Sequence, residues 1–289
     1  MMVDIVVYGS IIQDLVSYTD HFPRPGETIK GTFTMSPGGK GANQAAQAAM
    51  LGATVCMVGT KRAEWKDELL SICAIVEVGK DVFGTNNVNN LKSFGINTEN
   101  VVISDNTRTG CATIIVTKEG ENSIVIAPGA NMESLSSRID ELEKVVASAK
   151  LLLCQNETAY EFVKRIFELA KKHNDQHIES IETAQKAAKK LLEAGPRIVI
   201  LTLGEKGAVY SSKHGDSGHI AVPKVKVVET TGAGDSFCGA FAYFYVKRSE
   251  LELKEQIRRA TYIATLSVQR KGTRDSYLWP KDLPPNLLK

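Results

Sequence analysis

The 289-residue sequence has little of most features that would specialise a chain. An excess of one charge sign is missing: 35 Lys and Arg stand against 33 Asp and Glu, a formal charge of +2 with no block of like charges. That leaves no electrostatic footprint for nucleic acid or an anionic membrane surface. No apolar run approaches the roughly 18 residues that a membrane span requires. Five cysteines are scattered without a Cys-x-x-Cys, so the thiols are expected to be reduced. The start, Met1 to Tyr8, carries Asp4 and no basic segment, which argues against a secretory signal. A cytoplasmic chain is expected, with the nucleus as the alternative. No internal repeat or low-complexity stretch is present. What remains is ordinary globular composition, 43% hydrophobic and 24% charged, able to bury the core of one α/β domain with a small appendage.

Ile5–Tyr8 is a short β-branched run ending at Gly9-Ser10 and reads as a buried strand. Glu27–Met35 alternates like an exposed strand, and Lys40–Leu51, rich in Ala and Gln, reads as a helix. Ala53–Gly59 is the next strand. Thr109–Val116 and Asn122–Ala127 flank the turn-like Lys118-Glu119-Gly120-Glu121 and predict a hairpin. Leu135–Ala149 reads as a helix, Leu151–Cys154 as a buried strand and Arg197–Leu203 as a strand of the parallel type. Ala233–Val246 and Lys254–Arg270 read as helices. Alternating strands and helices predict an α/β fold around a mostly parallel sheet. The hairpin and Glu27–Met35 fall outside that alternation and suggest a small β lid. Two stretches break the rhythm. Helical patterns at Glu157–Lys172 and Glu179–Ala194 follow one another without a strand between them, and Arg62–Glu77 holds an apolar block where a turn is expected.

Thr230-Thr231-Gly232-Ala233-Gly234-Asp235-Ser236-Phe237 leads glycines into an Ala-rich helix. Backbone N–H groups and the positive end of a helix dipole are aimed there at one point, which suits a phosphate. A carboxylate beside it, Asp235, is placed to accept the proton of an attacking hydroxyl. The bland alternative is a Gly-rich turn with an acidic cap. Gly38-Gly39-Lys40-Gly41-Ala42-Asn43-Gln44 is neither a Walker loop nor a dinucleotide fingerprint. It is a close-approach turn whose Lys40 and Asn43 suit a polyhydroxylated ligand, or else a plain turn. Asp14 and Glu157 each follow a strand, where doubly wound sheets place ligand residues; singly, each reads as a solvated loop acid. Thr202-Leu203-Gly204-Glu205-Lys206-Gly207 is a strand-to-Gly loop suited to lie against a nucleotide, or a simple strand-end turn. His173 and His177 lack the carboxylate or cysteine that would complete a metal set and read as linker.

Taken in order, these segments resemble the ribokinase branch of the pfkB-type carbohydrate kinase family. The match runs from Ile5 to Lys281-Asp282-Leu283-Pro284 and is carried by Pro37–Ala45 and Thr230–Phe237. The resemblance implies a three-layer α/β/α fold with a mostly parallel sheet, formed as one domain with lid strands near 27–35 and 109–127. It implies transfer of the ATP γ-phosphoryl to the 5-hydroxyl of D-ribose, aided by Mg²⁺ and K⁺. In that likeness Asp235 is the base, and the N–H groups of Gly232, Ala233 and Gly234 form the anion hole. Asp14, Gly39, Lys40, Gly41, Ala42, Asn43 and Glu157 face the sugar. Thr202 to Gly207, Gly234 and Thr261 face the nucleotide. Glu229, Thr231, Ser267, Arg270, Gly272 and Ser276 surround the monovalent cation, mostly through carbonyls. The lid is implied to build a homodimer.

The sequence departs from the family in one stretch. The strands and the Asn-x-x-Glu motif that the family carries between Glu157 and Thr202 are missing near 173–180, and no glutamate in the chain has an asparagine three residues earlier. Block 62–77 is an insertion within the family's Val-Gly-Lys-Asp loop. A lost block together with an extra one is the pattern of a splice product or mis-assembled gene. Slow or absent turnover is therefore expected, with a catalytically inactive sugar-binding relative, or a kinase for another sugar, as the alternatives. Glu229 replaces the usual Asp at the cation site, and Thr261 replaces Asn beside the adenine.

Overall fold

The computed structural model describes residues 3–58, 77–132, 149–155, 180–193 and 195–289. The chain divides into two compact units, Met1–Ala49 with Thr54–Ala159, and Met50–Ala53 with Tyr160–Lys289.

In the first unit the described elements are β1 (Val3–Tyr8), β2 (Ile12–Thr19), β3 (Gly31–Gly38), α1 (Lys40–Met50) and β4 (Val55–Val58). They continue with β5 (Glu77–Gly79), α2 (Val82–Ser93), β6 (Asn97–Asn100), β7 (Val102–Ser104), β8 (Gly110–Thr117), β9 (Asn122–Ala127) and β10 (Ala149–Cys154). A parallel sheet runs β10-β1-β4-β6, with β1 at its centre. Ile5, Val6 and Val7 of β1 are wholly buried, each such side chain contributing about 1.5–3 kcal/mol. α1 buries Ala42, Ala45, Ala46 and Ala48 completely, and these small side chains let its backbone approach its neighbours closely. A second, mixed sheet runs β3-β2-β8-β9, with β2 and β8 parallel and the outer pairs antiparallel. Its strands β3, β8 and β9 overlap the stretches near 27–35 and 109–127 where lid strands were expected.

Several expectations shift here. The Glu27–Met35 strand is displaced to Gly31–Gly38, so Ser36 to Gly38 belong to a strand and not to the turn. Asp14 lies inside β2, which the sequence reading had not foreseen. Val78-Gly79, expected in a loop, forms β5 with Glu77 and pairs in parallel with β7. The helix Leu135–Ala149 lies outside the described residues apart from Ala149, which opens β10, and block 62–77 lies outside them apart from Glu77, which opens β5.

Asp81 explains how α2 begins despite its asparagine-rich sequence. Its carboxylate accepts from the Gly84 N–H at 2.8 Å, the Thr109 N–H at 2.9 Å and the Thr109 hydroxyl at 2.7 Å. Burial opposes the charge, but these hydrogen bonds from Thr109 and Gly84 outweigh it and hold the carboxyl below its ordinary range. A depressed folded-state value adds stability above the unfolded pKa and loses it as pH falls through the folded one. Asp81→Ala is therefore expected to lower stability by about 0.5–2 kcal/mol at neutral pH. The difference should shrink below about pH 4, which denaturant titration of both chains at pH 7 and pH 3 would show.

In the second unit the described elements are α3 (Ile181–Glu193), β11 (Ile198–Thr202), β12 (Ala208–Ser212), β13 (Ser217–Ile220), α4 (Ala233–Lys247) and α5 (Leu253–Ser267). Ala184 and Ala188 of α3 pack on Val199 and Val209, with Ile181, Leu191, Leu192, Leu201 and Leu203 around them. Although β11 was expected to pair in parallel, among the described residues it pairs with β12, antiparallel, and β12 with β13 likewise. The tight Gly204–Gly207 connection leaves antiparallel return as the available geometry. α4 carries a ladder of Phe237, Phe241 and Tyr245 at ring spacings of 6.2 and 5.8 Å. It packs on α5, and the two helices bury Phe244, Ile257 and Ile263 completely.

Candidate active site

In the first unit the segment after β3 is built around backbone contacts that only glycine permits. Gly39 has φ +92°, and a Cβ there would lie 2.5 Å from the Ser10 carbonyl oxygen and 2.7 Å from the Ile12 nitrogen. Gly41 meets Gly9 directly: a Cβ on Gly41 would stand 2.5 Å from the Gly9 carbonyl carbon and 2.7 Å from its Cα. Ser10 links the two strands of chain. Its hydroxyl accepts the Lys40 N–H at 3.0 Å, and its carbonyl accepts the Ala42 N–H at 3.1 Å. β2 pairs Asp14 with Ser36, and the Asp14 carboxylate reaches within 2.2 Å of where a Gly38 Cβ would be. Asp14, Gly39, Lys40, Gly41, Ala42 and Asn43 are thus gathered at the carboxyl end of β1 and the amino end of α1. Lys40 is exposed and Asn43 buried. An anionic carboxylate, an ammonium and a buried amide around a glycine-lined backbone suit a ligand with several hydroxyls. Gln155, just after β10, donates to the Gln44 Oε1 at 2.8 Å and lies against Gly9. Glu157, the remaining residue of this group, lies outside the described residues.

In the second unit α4 opens at Gly232, whose φ of +79° makes the left-handed turn into the helix. A Cβ there would meet the Thr273 methyl at 2.5 Å and the Tyr277 hydroxyl at 2.9 Å. That hydroxyl donates to the Gly232 carbonyl at 3.2 Å, and the same carbonyl accepts the Ser236 N–H at 2.8 Å. The Ala233 N–H donates to the Thr230 carbonyl at 3.2 Å, so this member of the expected anion hole already has a partner. The space around Gly234 is open, and helix geometry leaves first-turn N–H groups without an i−4 carbonyl. Asp235 sits half-buried in that turn. The arrangement can hold an anion at the helix start with a carboxylate beside it. One helical turn on, the Cys238 thiol is pushed up to about 12 by burial and then by the Asp235 charge.

The segment before this helix is tied to the one after α5. The Val228 and Glu229 N–H groups both donate to the Val268 carbonyl, at 2.8 and 3.1 Å. The Glu229 carboxylate accepts the Gly272 N–H at 2.9 Å, where Gly272 has φ +83°. Ser267 and Ser276 turn their hydroxyls back to the Ala264 and Thr273 carbonyls, and Arg270 pairs loosely with Asp282 at 3.9 Å. Five of the six expected cation residues therefore fall on two strands of chain held side by side, and Thr231 follows on the first of them. Among the described residues no three His, Cys, Asp or Glu side chains gather into a metal set.

Thr202 ends β11, and Leu203 to Gly207 form a closed turn: the Leu203 N–H donates to the Gly207 carbonyl at 2.7 Å and the Gly207 N–H to the Gly204 carbonyl at 2.9 Å. The His219 ring bonds the Lys206 carbonyl at 2.6 Å. Glu205 is exposed on this turn. Thr261 is buried in α5 with its hydroxyl on the Ile257 carbonyl at 2.7 Å, so its side chain serves its own helix. Sequence reasoning missed Ser10, Gly38 and Gln155. Gly38 and Ser10 stood inside or beside quoted motifs, but neither the Ser10 bonds to the Lys40 and Ala42 N–H groups nor the approach of the Asp14 carboxylate to Gly38 is spelled out by a motif.

The chain matches the pfkB family carbohydrate kinase description over residues 2–178 and 166–280. It is 37% identical over 318 positions to the ribokinase of Mus musculus, covering 97% of this chain and 93% of that one. It is 32% identical to the deoxyribokinase of Salmonella typhi, with 95% of each chain covered. Its structure is similar to Arabidopsis thaliana ribokinase complexed with ribose and ATP, at a TM-score of 0.80 and 28% identity, covering 100% of this chain and 99% of that one. The fold is therefore the α/β fold of these sugar kinases. Matched along nearly its whole length, the chain belongs to the pfkB family of carbohydrate kinases.

Proposed function

We propose that this chain is an ATP-dependent ribokinase that moves the γ-phosphoryl of ATP to the 5-hydroxyl of D-ribose. The observation that carries the reading is the helix start at Gly232–Asp235, an open anion-holding turn with a carboxylate in it. The glycine-lined Asp14–Asn43 segment in the same chain supports it. Asp235 accepts the hydroxyl proton as the sugar O–P bond forms and the bond from the γ-phosphorus to the bridging oxygen breaks, with ADP leaving. The Gly232–Gly234 turn, through the Gly234 N–H at its open position, holds the charge that develops on the phosphoryl oxygens. Asp14, Gly39, Lys40, Gly41, Ala42, Asn43 and Glu157 bind the sugar. Thr202 to Gly207, with Gly234, take the nucleotide, while the Thr261 hydroxyl stays engaged in its own helix.

Mg²⁺ fits as an ion carried by the nucleotide phosphates, since such ions need only one or two protein carboxylates. In this reading K⁺ sits by the paired segments at 228–231 and 267–276, which the Val268 carbonyl and the Glu229 carboxylate tie together. Glu229→Ala is expected to raise the K⁺ concentration for half-maximal activity by roughly tenfold, through loss of a charge-assisted hydrogen bond. A K⁺ titration that matches the unsubstituted chain would sink that assignment. Homodimerisation through the lid is part of the same reading: Phe33, Met35 and Val125 share one lid face and are more than half exposed.

A second reading, sugar binding with slow turnover, is favoured by the lack of any Asn-x-x-Glu. Two further facts support a lost segment: the family match falls into two pieces meeting at 166–178, and the mouse alignment needs 318 positions for a 289-residue chain. ADP release with ATP, Mg²⁺ and K⁺, run with D-ribose, 2-deoxyribose and fructose in parallel, tests both. Ribose-dependent release supports the kinase, release with another sugar alone moves the specificity, and ribose binding without release selects the second reading.

A further inference from the structure

Asn131, on a short helical turn at Gly129–Met132, is buried at 5% exposure and belongs to none of the motifs above. Its amide grips a single peptide residue from both sides. The Oδ1 accepts the Ile11 N–H at 2.8 Å, and the Nδ2 donates to the Ile11 carbonyl at 2.8 Å and to the Pro128 carbonyl at 2.8 Å. Three of the four hydrogen bonds an asparagine amide can make are therefore used on the backbone. The surroundings make room for it. Gly110 lacks the Cβ that would stand 2.5 Å from the Asn131 Nδ2, and the Ala130 N–H anchors the turn on the Arg108 carbonyl at 2.9 Å.

Ile11 is the wholly buried residue between two parts of the sugar segment. On one side Ser10 holds the Lys40 and Ala42 N–H groups. On the other, Ile12 opens the strand that carries Asp14. Two more amides brace that strand: Gln13 donates to the Ser36 carbonyl at 2.8 Å, and Asn87 donates to the Gln13 Oε1 at 3.0 Å. We propose that Asn131 is a positioning residue for the sugar site, fixing the Ser10-Ile11 turn from which the Gly39–Asn43 backbone and Asp14 both take their places. The inference rests on the carbohydrate kinase reading. A neutral amide suits the task, because a charged side chain buried at this backbone clasp would carry a desolvation penalty.

The experiment uses the full chain with Asn131→Ala and Asn131→Asp. The Asp variant keeps the volume and the acceptor for the Ile11 N–H but loses both donations, so it serves if the Ala variant fails to fold. D-ribose and ATP affinities are measured by calorimetry, and backbone amide exchange by mass spectrometry. Ribose affinity should fall roughly 10- to 100-fold, as misplacement of a binding segment does, while ATP affinity stays within about twofold. Exchange should quicken at residues 9–14 and 39–43 and stay unchanged in Ala233–Lys247. Unchanged ribose affinity, or equal losses for ribose and ATP, overturns the proposal. An unsubstituted chain that binds no ribose sinks the ribose reading of this site and the inference with it. Equal ribose binding by all three chains overturns the inference alone.

Discussion

Asp235→Asn will remove ribose-dependent ADP release while leaving ribose affinity unchanged. The substitution conserves shape at the first turn of α4 and takes away the group able to accept a proton. General-base catalysis of this kind contributes about 10²–10⁴-fold, so turnover should fall by about that factor relative to the unsubstituted chain. A second readout checks that the variant is otherwise intact. The Cys238 thiol owes its raised value first to burial and next to the Asp235 charge. Without that charge the thiol should ionise at somewhat lower pH, with burial still keeping it well above an ordinary thiol. Undiminished ADP release would refute the base assignment. Lost ribose binding together with lost release would instead make Asp235 a substrate anchor.

Gly41→Ala is expected to act on both stability and sugar affinity. The added methyl would press on the Gly9 carbonyl carbon and Cα at 2.5 and 2.7 Å, and neither atom belongs to a side chain that can swing aside. Gly9 follows directly on the central strand β1, so relief requires moving that strand's end or the start of α1. Overpacking of this sort costs about 1–3 kcal/mol, a sizeable share of a typical domain's roughly 5–15 kcal/mol. The same displacement carries Lys40 and Asn43 away from Asp14. Gly234→Ala is the steric contrast, because its Cβ would meet open space, and it should leave the melting temperature unchanged. Melting and ribose titration of both variants decide the matter; a Gly41→Ala chain with unaltered melting and affinity would show that the Gly9 contact yields freely.

What the sequence made legible was whatever lay in local pattern. β1, α1, the β8–β9 hairpin, α4 and α5 follow from β-branched runs, Ala-rich periodicity and glycine placement. β2 escaped because Ile12–Thr19 mixes apolar residues with Gln13, Asp14 and Ser17 and has no clean alternation. α2 escaped because Val82–Ser93 is full of asparagine, and its helicity comes from the Asp81 cap and the buried Asn87 and Leu91. The antiparallel partner of β11 is set by a tight turn, which an apolar run cannot announce. At the site, the motif residues were readable by type. Ser10, Gly38 and Asn131 were not, since their value lies in what approaches them after folding: backbone groups at Ser10 and Asn131, the Asp14 carboxylate at Gly38.

The β3-β2-β8-β9 sheet has a consequence for how the chain is made. β2 pairs in parallel with β8, Ile12 against Gly110 through Thr19 against Thr117, so the pairing joins segments that leave the ribosome far apart in time. The β2–β3 hairpin must therefore wait, with Phe33 and Met35 showing and one strand edge unfilled, until β8 has been synthesised. Long-range pairings of this kind form slowly. During that interval the nascent chain presents a sticky, half-built sheet, and chaperone demand during translation should centre on residues 12–38.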